Sequence, residues 1–135
     1  MDVIYKLNSR QISELHVLYQ NEWWTEGRTL KETEQCVEGS QICIAVIDKN
    51  GSLQGFVRVI TDYIFKALIF DVIVSKKYRK QGVGDKLIGL VKNHQALNQV
   101  KSFELYCLPE LESFYKNHNF TTDVGQINLM RCINV

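Results

Sequence analysis

An apolar, β-branched stretch at residues 67–74 runs into a basic turn that ends in Arg79-x-x-Gly82-x-Gly84, and a helical pattern follows at once. Glycines let the backbone approach a ligand closely. The first N–H groups of a helix have no partner within the helix and point toward whatever lies before it. A strand, a glycine turn and a helix in this order therefore predict an anion-binding turn.

The segments around this turn predict the rest of the fold. Two apolar runs at 42–47 and 53–60 flank Asn50-Gly51, a strong hairpin signal because both residues tolerate positive φ. We therefore expect an α/β (α+β) fold, with a mixed, mainly antiparallel central sheet flanked by helices and a βαβ crossover at about 67–106. The other predicted elements are strands at 3–7, 101–106 and 127–133, and helices from Ser9 to Tyr19, at 30–37, around 87–94 and from Pro109 onward.

Length and composition narrow the function classes. The chain has 135 residues, which suits one domain over 1–135. Lys and Arg total 16 and Asp and Glu total 15, so there is no overall attraction to nucleic acid or to a membrane. No apolar run approaches the roughly 20 residues of a membrane span, and the first residues do not resemble a signal peptide, which favours a cytoplasmic protein. The four cysteines and three histidines show no metal-binding spacing, so no metal is expected.

Three kinds of anion-binding motif compete for residues 79–84. A Walker A loop requires GxxxxGK[ST], which is absent. A dinucleotide-binding fingerprint requires a third small residue where Leu87 stands, although Glu104 lies at the distance of a ribose-binding acid. The hairpin-linked strands before the turn also argue against a parallel dinucleotide-binding fold.

The third kind of motif fits better. Residues 70–84 resemble the acetyl-CoA motif of the GNAT superfamily of N-acetyltransferases, whose core is Q/R-x-x-G-x-G/A. Residues 113–120, Ser-Phe-Tyr-Lys-Asn-His-Asn-Phe, resemble the FYxxxGF segment of the same family. The order of elements along nearly the whole chain is also similar to that of the family.

This resemblance implies an acetyl-CoA cosubstrate, no metal, and a role for each segment. The backbone of residues 72–74 would pair with the pantetheine arm as an added strand. The N–H groups of residues 80–85 would hold the pyrophosphate, with Arg79 supporting the turn, and Tyr115 would protonate the departing thiolate. The implied CoA-binding residues are Val72, Ile73, Val74, Arg79, Lys80, Gln81, Gly82, Val83, Gly84 and Asp85.

The chain departs from the family pattern at two places. Asn119 stands where the family usually has glycine, a mild change because Asn tolerates left-handed backbone geometry. Leu108 and Pro109 occupy the region where the family often has an asparagine, so one polar contact to CoA is in doubt.

The acceptor side is less defined by the sequence. An amine must lose a proton before it attacks, and carboxylates are candidate bases, acting directly or through water. The candidate bases are Asp62, Asp71, Glu104 and Glu22. The candidate acceptor-binding residues are Trp23, Trp24, Arg58 and Tyr63. Each of these also has an ordinary structural or surface interpretation.

The resulting expectation is a single-domain enzyme that transfers acetyl from acetyl-CoA to a primary amine, with a small-molecule amine favoured as the partner. Two alternatives remain: an acetyltransferase acting on peptide or protein amines, and a non-catalytic acyl-CoA-binding or regulatory module. A homodimer is expected by analogy with the family alone.

Overall fold

The computed structural model describes residues 2–134, which contain a five-stranded sheet of order β1-β2-β3-β4-β5. The first four strands are antiparallel neighbours, and the last pair, β4 and β5, is parallel. The strands are β1 (Asp2–Ile4), β2 (Ile42–Ile47), β3 (Leu53–Thr61), β4 (Lys66–Val74) and β5 (Ser102–Leu105). The α-helices are α1 (Ser9–Gln20), α2 (Leu30–Gly39), α3 (Val83–Lys92) and α4 (Glu112–Lys116). The predicted fold class and the β4-α3-β5 crossover are confirmed.

The sheet is buried on both faces. Ile44 and Val46 of β2 pack with Leu87 of α3 in one apolar cluster. Cys43 and Ala45, which point to the opposite face, belong to a second cluster with residues of α1. A strand that is covered on both faces has apolar residues at consecutive positions. Residues 42–47 therefore show a continuous apolar run instead of an alternating pattern.

The two helices on the α1 side begin at capping boxes. The side chain of Asn8 accepts from the Gln11 N–H at 2.9 Å, and the Gln11 side chain accepts from the Asn8 N–H. Thr29 and Glu32 form the same reciprocal pair at the start of α2. These bonds satisfy N–H groups that the first helical turn leaves free. None of the helices within residues 2–134 is long and apolar enough to cross a membrane.

The predicted C-terminal strand at 127–133 is wrong. Every residue from 121 to 134 is exposed, and none of these residues is in a strand. The hydrogen bonds in this segment are local, such as that from the Val124 N–H to the Thr122 carbonyl at 3.0 Å. The alternating pattern is present, but a strand also needs a neighbouring strand to pair with, and residues 121–134 pair with none of the five strands described.

Candidate active site

The strands β4 and β5 separate halfway along β4. Their pairing runs from Lys66 opposite Ser102 to Ile69 opposite Leu105, whereas β4 continues to Val74. Residues 70–74 therefore have a strand partner, β3, on one side only among the described residues. This open edge contains the predicted pantetheine-binding residues 72–74, and an extended ligand can add to it as a strand does.

A β-bulge marks the start of the open edge. The register between β3 and β4 shifts between Phe56 and Arg58, so that two residues of β4 lie opposite one residue of β3. Asp71 has φ +57° at this point, which is unusual for a residue other than glycine. The bulge bends β4 at the point where this strand no longer pairs with β5.

The glycine turn lies directly before α3. Gly82 is the N-cap residue of α3 with φ +80°, and Lys80 has φ +64°. No side chain caps this helix, so its first N–H groups, from Val83 onward, are available to an anion. A Cβ built on Gly84 would lie 3.2 Å from Phe114 Cζ, so α4 packs tightly against this turn.

A cleft of about 140 Å³ lies between the end of the open edge, from Ile73 to Arg79, and the C-terminal end of α1 with the loop after it. The side chain of Arg79 spans this cleft: its Nε donates to the Val74 carbonyl at 3.3 Å, and its guanidinium pairs with Glu22 in the loop after α1. The cleft is lined by Leu18, Asn21, Glu22, Ile73, Val74, Ser75, Lys76, Lys77 and Arg79. A larger groove of about 480 Å³ lies against α3 near Tyr5 and His94, and it contains none of the predicted site residues.

Asp71 lies in a charged cluster that the sequence did not reveal. Its carboxylate accepts from Arg28 Nη1 at 2.7 Å, from Arg58 Nε at 2.6 Å and from the Tyr19 hydroxyl at 3.0 Å. Burial alone would raise the pKa of Asp71, but the hydrogen bonds from Arg28 and Arg58 outweigh it and hold that pKa below its ordinary value. A carboxylate so stabilised is a poor proton acceptor, so the geometry argues against Asp71 as the base.

The other candidate bases are also engaged. Asp62 Oδ1 accepts from the N–H groups of residues 64, 65 and 66, and these bonds lower the pKa of Asp62. Asp62 lies in the turn before β4, at the end of that strand opposite the glycine turn. The length of β4, roughly 26 Å, separates Asp62 from the glycine turn. Glu104 forms an exposed ion pair with Lys66, and Glu22 pairs with Arg79. None of these carboxylates is free.

Tyr115 is buried among aromatic side chains. Its ring lies 4.9 Å from that of Phe114 and 6.0 Å from that of Phe120, in edge-to-face arrangements. Burial, with a smaller contribution from Cys107, raises the pKa of Tyr115 to about 12. Asn119, in the position where the family has glycine, has φ +69°, the left-handed geometry that a glycine would favour.

The candidate acceptor-binding residues are scattered. Trp23 is 70% exposed and Trp24 is 41% exposed, in a loop anchored by the buried Thr25, whose hydroxyl donates to the Tyr19 carbonyl at 2.7 Å. Arg58 belongs to the Asp71 cluster and lies over the ring of Phe70. Tyr63 lies in the β3–β4 turn, beside Asp62 at the end of the sheet away from the cleft.

No metal-binding arrangement is found within residues 2–134, where no group of three or more potential ligands comes together. The cysteines are free thiols. Burial, with a smaller effect of Glu112, raises the pKa of Cys107, so its thiol is not activated as a nucleophile.

The open edge and the glycine turn fit a CoA molecule. An extended arm requires free backbone groups, which the edge of residues 70–74 provides. A pyrophosphate requires converging N–H groups, which an uncapped helix after Gly82 provides. The exposed side chains of Lys76, Lys77 and Lys80 add positive charge beside that turn.

Comparisons with known proteins agree with this geometry. Residues 38–122 match the family model described as "Acetyltransferase (GNAT) domain". A Porphyra purpurea protein named "Uncharacterized N-acetyltransferase ycf52" is 33% identical over 130 residues, covering 89% of this chain and 71% of that protein.

Solved structures give the same fold. A GNAT-family acetyltransferase from Streptococcus pneumoniae superimposes with a TM-score of 0.78 at 20% identity, covering 98% of this chain and 97% of that one. An aminoglycoside 6'-N-acetyltransferase solved with coenzyme A gives a TM-score of 0.67 at 20% identity, covering 78% of this chain and 61% of that one. On the match of residues 38–122, the chain belongs to the GNAT family and is an acetyl-CoA-dependent acetyltransferase.

Proposed function

We propose that this protein transfers the acetyl group of acetyl-CoA to a primary amine of a small molecule by direct attack, with Tyr115 as the general acid. The observation that carries the proposal is the continuity of the open β4 edge at residues 70–74 with the glycine turn at 79–84. A cytoplasmic location, expected from the sequence, stays part of the proposal.

On the donor side, the backbone of residues 72–74 would bind the pantetheine arm, and the N–H groups of residues 80–85 would bind the pyrophosphate. The bound acetyl-CoA supplies the activated acyl carbon. Arg79 keeps the turn attached to Val74 and to Glu22, so we assign it a positioning role. A strand-like arm bound at the edge would end beside the bulge at Asp71, where β4 and β5 diverge.

On the acceptor side, the amine arrives mostly protonated, and its proton must leave before attack. Since Asp71, Glu104 and Asp62 are all engaged in ion pairs or backbone hydrogen bonds, we infer that water carries this proton to solvent. Trp23 and Trp24, exposed in the loop next to Glu22, remain our candidates for contacting the acceptor.

Tyr115 is a weaker acid than a free tyrosine, with a pKa of about 12 against 10.0. Protonation of an ordinary thiolate, of pKa near 8.5, would therefore be uphill. The same apolar surroundings would raise the pKa of a thiol placed beside Tyr115 and reduce the mismatch. The proposed acid role therefore depends on close contact between the hydroxyl and the sulfur.

Replacing Tyr115 with phenylalanine is expected to lower kcat by about 10²–10⁴-fold, the usual contribution of a general acid, with little change in acetyl-CoA affinity. Release of free thiol measures kcat, and calorimetry measures affinity. Tyr5→Phe is the matched control, because Tyr5 is exposed and contacts His94 in an edge-to-face arrangement away from the cleft. Unchanged turnover in Tyr115→Phe would remove Tyr115 from the mechanism.

The pH dependence follows from the same two groups. We expect kcat/KM to rise with pH as the acceptor amine, of pKa near 10, loses its proton. Tyr115, with its pKa raised to about 12, keeps its proton throughout this range, so its ionisation gives no descending limb. The contradicting result is a bell-shaped profile whose alkaline, descending limb has its midpoint below about pH 10, the ordinary pKa of tyrosine, and disappears in Tyr115→Phe.

Two alternatives are decided by one assay series. A panel of small amines and of lysine-containing peptides is tested for thiol release from acetyl-CoA. Turnover with peptides alone would move the acceptor class to protein amines. Binding of acetyl-CoA without turnover on any amine would favour a non-catalytic acyl-CoA-binding module.

A further inference from the structure

The cluster around Asp71 contains more positive than negative charge. Arg28 and Arg58 both donate to the single carboxylate of Asp71, at 2.7 and 2.6 Å. Within residues 2–134, no other carboxylate forms an ion pair with either arginine. Glu32, in the first turn of α2, is exposed and occupied by its capping box with Thr29. Two guanidiniums and one carboxylate therefore give the cluster a net charge of +1.

This surplus charge is held largely out of water. The side chains of Arg28 and Arg58 are 30% and 13% exposed, and one of them would be enough to neutralise the buried carboxylate. Removing a charge from water without neutralising it costs free energy. The second guanidinium is therefore stabilised when an anion from outside the protein binds to the cluster.

Both guanidiniums keep donors that Asp71 does not use. Arg28 donates to Asp71 through Nη1 and Nη2, and Arg58 donates through Nε to Asp71 and through Nη1 to Ser40. Arg28 Nε and Arg58 Nη2 therefore carry N–H groups without a protein acceptor in the described part of the chain. Neither atom is buried, because Gln54 Oε1 is the only buried side-chain nitrogen or oxygen without a hydrogen-bond partner among the described residues.

The surrounding side chains fix the two guanidiniums in place. The Arg28 carbonyl accepts from Gln20 Nε2 at 2.7 Å, and the Arg28 guanidinium lies 4.5 Å from the centroid of the Tyr19 ring. The Arg58 guanidinium lies 5.0 Å from the centroid of the Phe70 ring. Donors that are already ordered bind a ligand with a smaller loss of conformational entropy.

The cluster lies on the side of the proposed site from which an acceptor would approach. Asp71 is at the bulge where the proposed pantetheine arm ends, and Tyr19 of α1 donates to it. Arg28 belongs to the same loop as the exposed Trp23 and Trp24. An attacking amine must come within about 3–3.5 Å of the acyl carbon. The remainder of a small acceptor would then extend toward this loop and the cluster.

We propose that the acceptor amine carries an anionic group, a carboxylate or a phosphate, and that Arg28 and Arg58 bind this group beside Asp71. The inference rests on the proposed transfer of acetyl to a small amine. Guanidiniums bind both kinds of anion through paired N–H···O bonds. A protonated amine without an anionic group is repelled by the net positive charge of the cluster. Arg28 and Arg58 thus determine the specificity for the acceptor and take no part in proton transfer.

The first test compares kcat/KM for matched primary amines, measured by thiol release from acetyl-CoA. ω-Amino carboxylates and aminoalkyl phosphates of graded length are each paired with the alkylamine of the same length. The best anionic amine is expected to exceed its alkylamine at least about 10-fold, the effect of one charge-assisted hydrogen bond. The more active anionic series identifies the group as carboxylate or phosphate. Alkylamines that react as fast as the anionic amines would overturn the proposal and leave the proposed acetyl transfer standing.

Variants of the arginines test the assignment. Arg28→Gln is expected to reduce the preference for the anionic amine about 10-fold, and Arg28→Lys should restore part of it by returning the charge. Arg10→Gln is the matched control, because Arg10 is exposed and contacts Glu14 and the Asn50 carbonyl instead. Circular dichroism verifies folding, and Arg58→Lys replaces Arg28→Gln if that variant is unfolded. Equal losses of kcat/KM for both kinds of amine would indicate a structural role alone and contradict the proposal.

A binding measurement separates this proposal from the proposed function. Calorimetry with the same amines is performed with and without saturating CoA, which has no acetyl group to transfer. The anionic amine should bind at least about 10-fold more tightly than its alkylamine, and Arg28→Gln should abolish the difference. If this binding is observed but no amine is acetylated, the proposed acetyl transfer is wrong and the anion site stands. Equal binding of both amines, or a difference that persists in Arg28→Gln, would refute the anion site.

Discussion

Replacing Asp71 with alanine is expected to lower the free energy of unfolding by about 3–5 kcal/mol. The Asp71 side chain is 5% exposed and accepts hydrogen bonds from Arg28, Arg58 and Tyr19. Its removal leaves two partly buried guanidinium groups, 30% and 13% exposed, without their shared anion. The loop that carries Arg28 would also lose its attachment to β4. Urea denaturation followed by circular dichroism measures the change.

Two variants separate the charge from other effects. Asp71→Asn keeps the side-chain shape and the tolerance for φ +57°. The decrease in the free energy of unfolding that this variant shows is therefore due to the missing charge. Glu104→Ala removes a carboxylate from the neighbouring strand, where its ion pair with Lys66 is about half exposed, and should cost less than about 1 kcal/mol. Equal losses in Asp71→Ala and Glu104→Ala would contradict the importance of the buried cluster.

The Asp71 cluster also gives a pH signature. Because the pKa of Asp71 in the folded protein is held below its unfolded value near 3.8, its stabilising contribution is complete above that value. The contribution is lost as the pH falls through the lower, folded-state pKa. Asp71→Asn should therefore lose less stability than the unmodified protein on acidification below about pH 4.

Replacing Gly84 with leucine is expected to weaken acetyl-CoA binding at least about 100-fold. A Cβ at this position already lies 3.2 Å from Phe114 Cζ, so a larger side chain must displace α4 or fill the space in front of the first turn of α3. Either change removes N–H groups from the pyrophosphate, and two charge-assisted hydrogen bonds of about 1.5–3 kcal/mol each account for the loss. Calorimetry with acetyl-CoA measures it.

The chain offers a matched control in the same helix. A Cβ at Gly89 meets nothing within 4 Å, and Gly89 is one helical turn and more from the glycine turn. Gly89→Leu should therefore leave acetyl-CoA affinity unchanged and stabilise α3 slightly, because leucine has the higher helix propensity. Equal weakening by the two variants would show that the loss of affinity is not specific to the glycine turn.

Most of the fold was predictable because its signals are local. β2 is apolar throughout since both faces of the sheet are covered, and the hairpin after it is encoded by Asn50-Gly51. The start of α3 follows from Gly82, whose φ of +80° few other residues adopt without strain. The turn, the strand before it and the helix after it were therefore identifiable from the sequence.

The features that the sequence did not reveal involve contacts between distant residues. Asp71 was interpreted as a candidate base because its partners, Arg28 and Arg58, lie 43 and 13 residues away and have no recognisable spacing. A charged residue in an otherwise apolar strand was the available signal that such partners existed. The segment 127–133 has strand-like alternation, but the local pattern does not reveal whether an edge is available to pair with it.

Calorimetric titration of the unmodified protein with acetyl-CoA tests the central claim most directly, namely that the β4 edge and the glycine turn form a CoA site. The account predicts one molecule bound per chain, with a dissociation constant between about 1 μM and 1 mM, the usual range for enzymes and their substrates. Free CoA should compete for the same site. Absence of binding at millimolar acetyl-CoA by correctly folded protein would contradict the account.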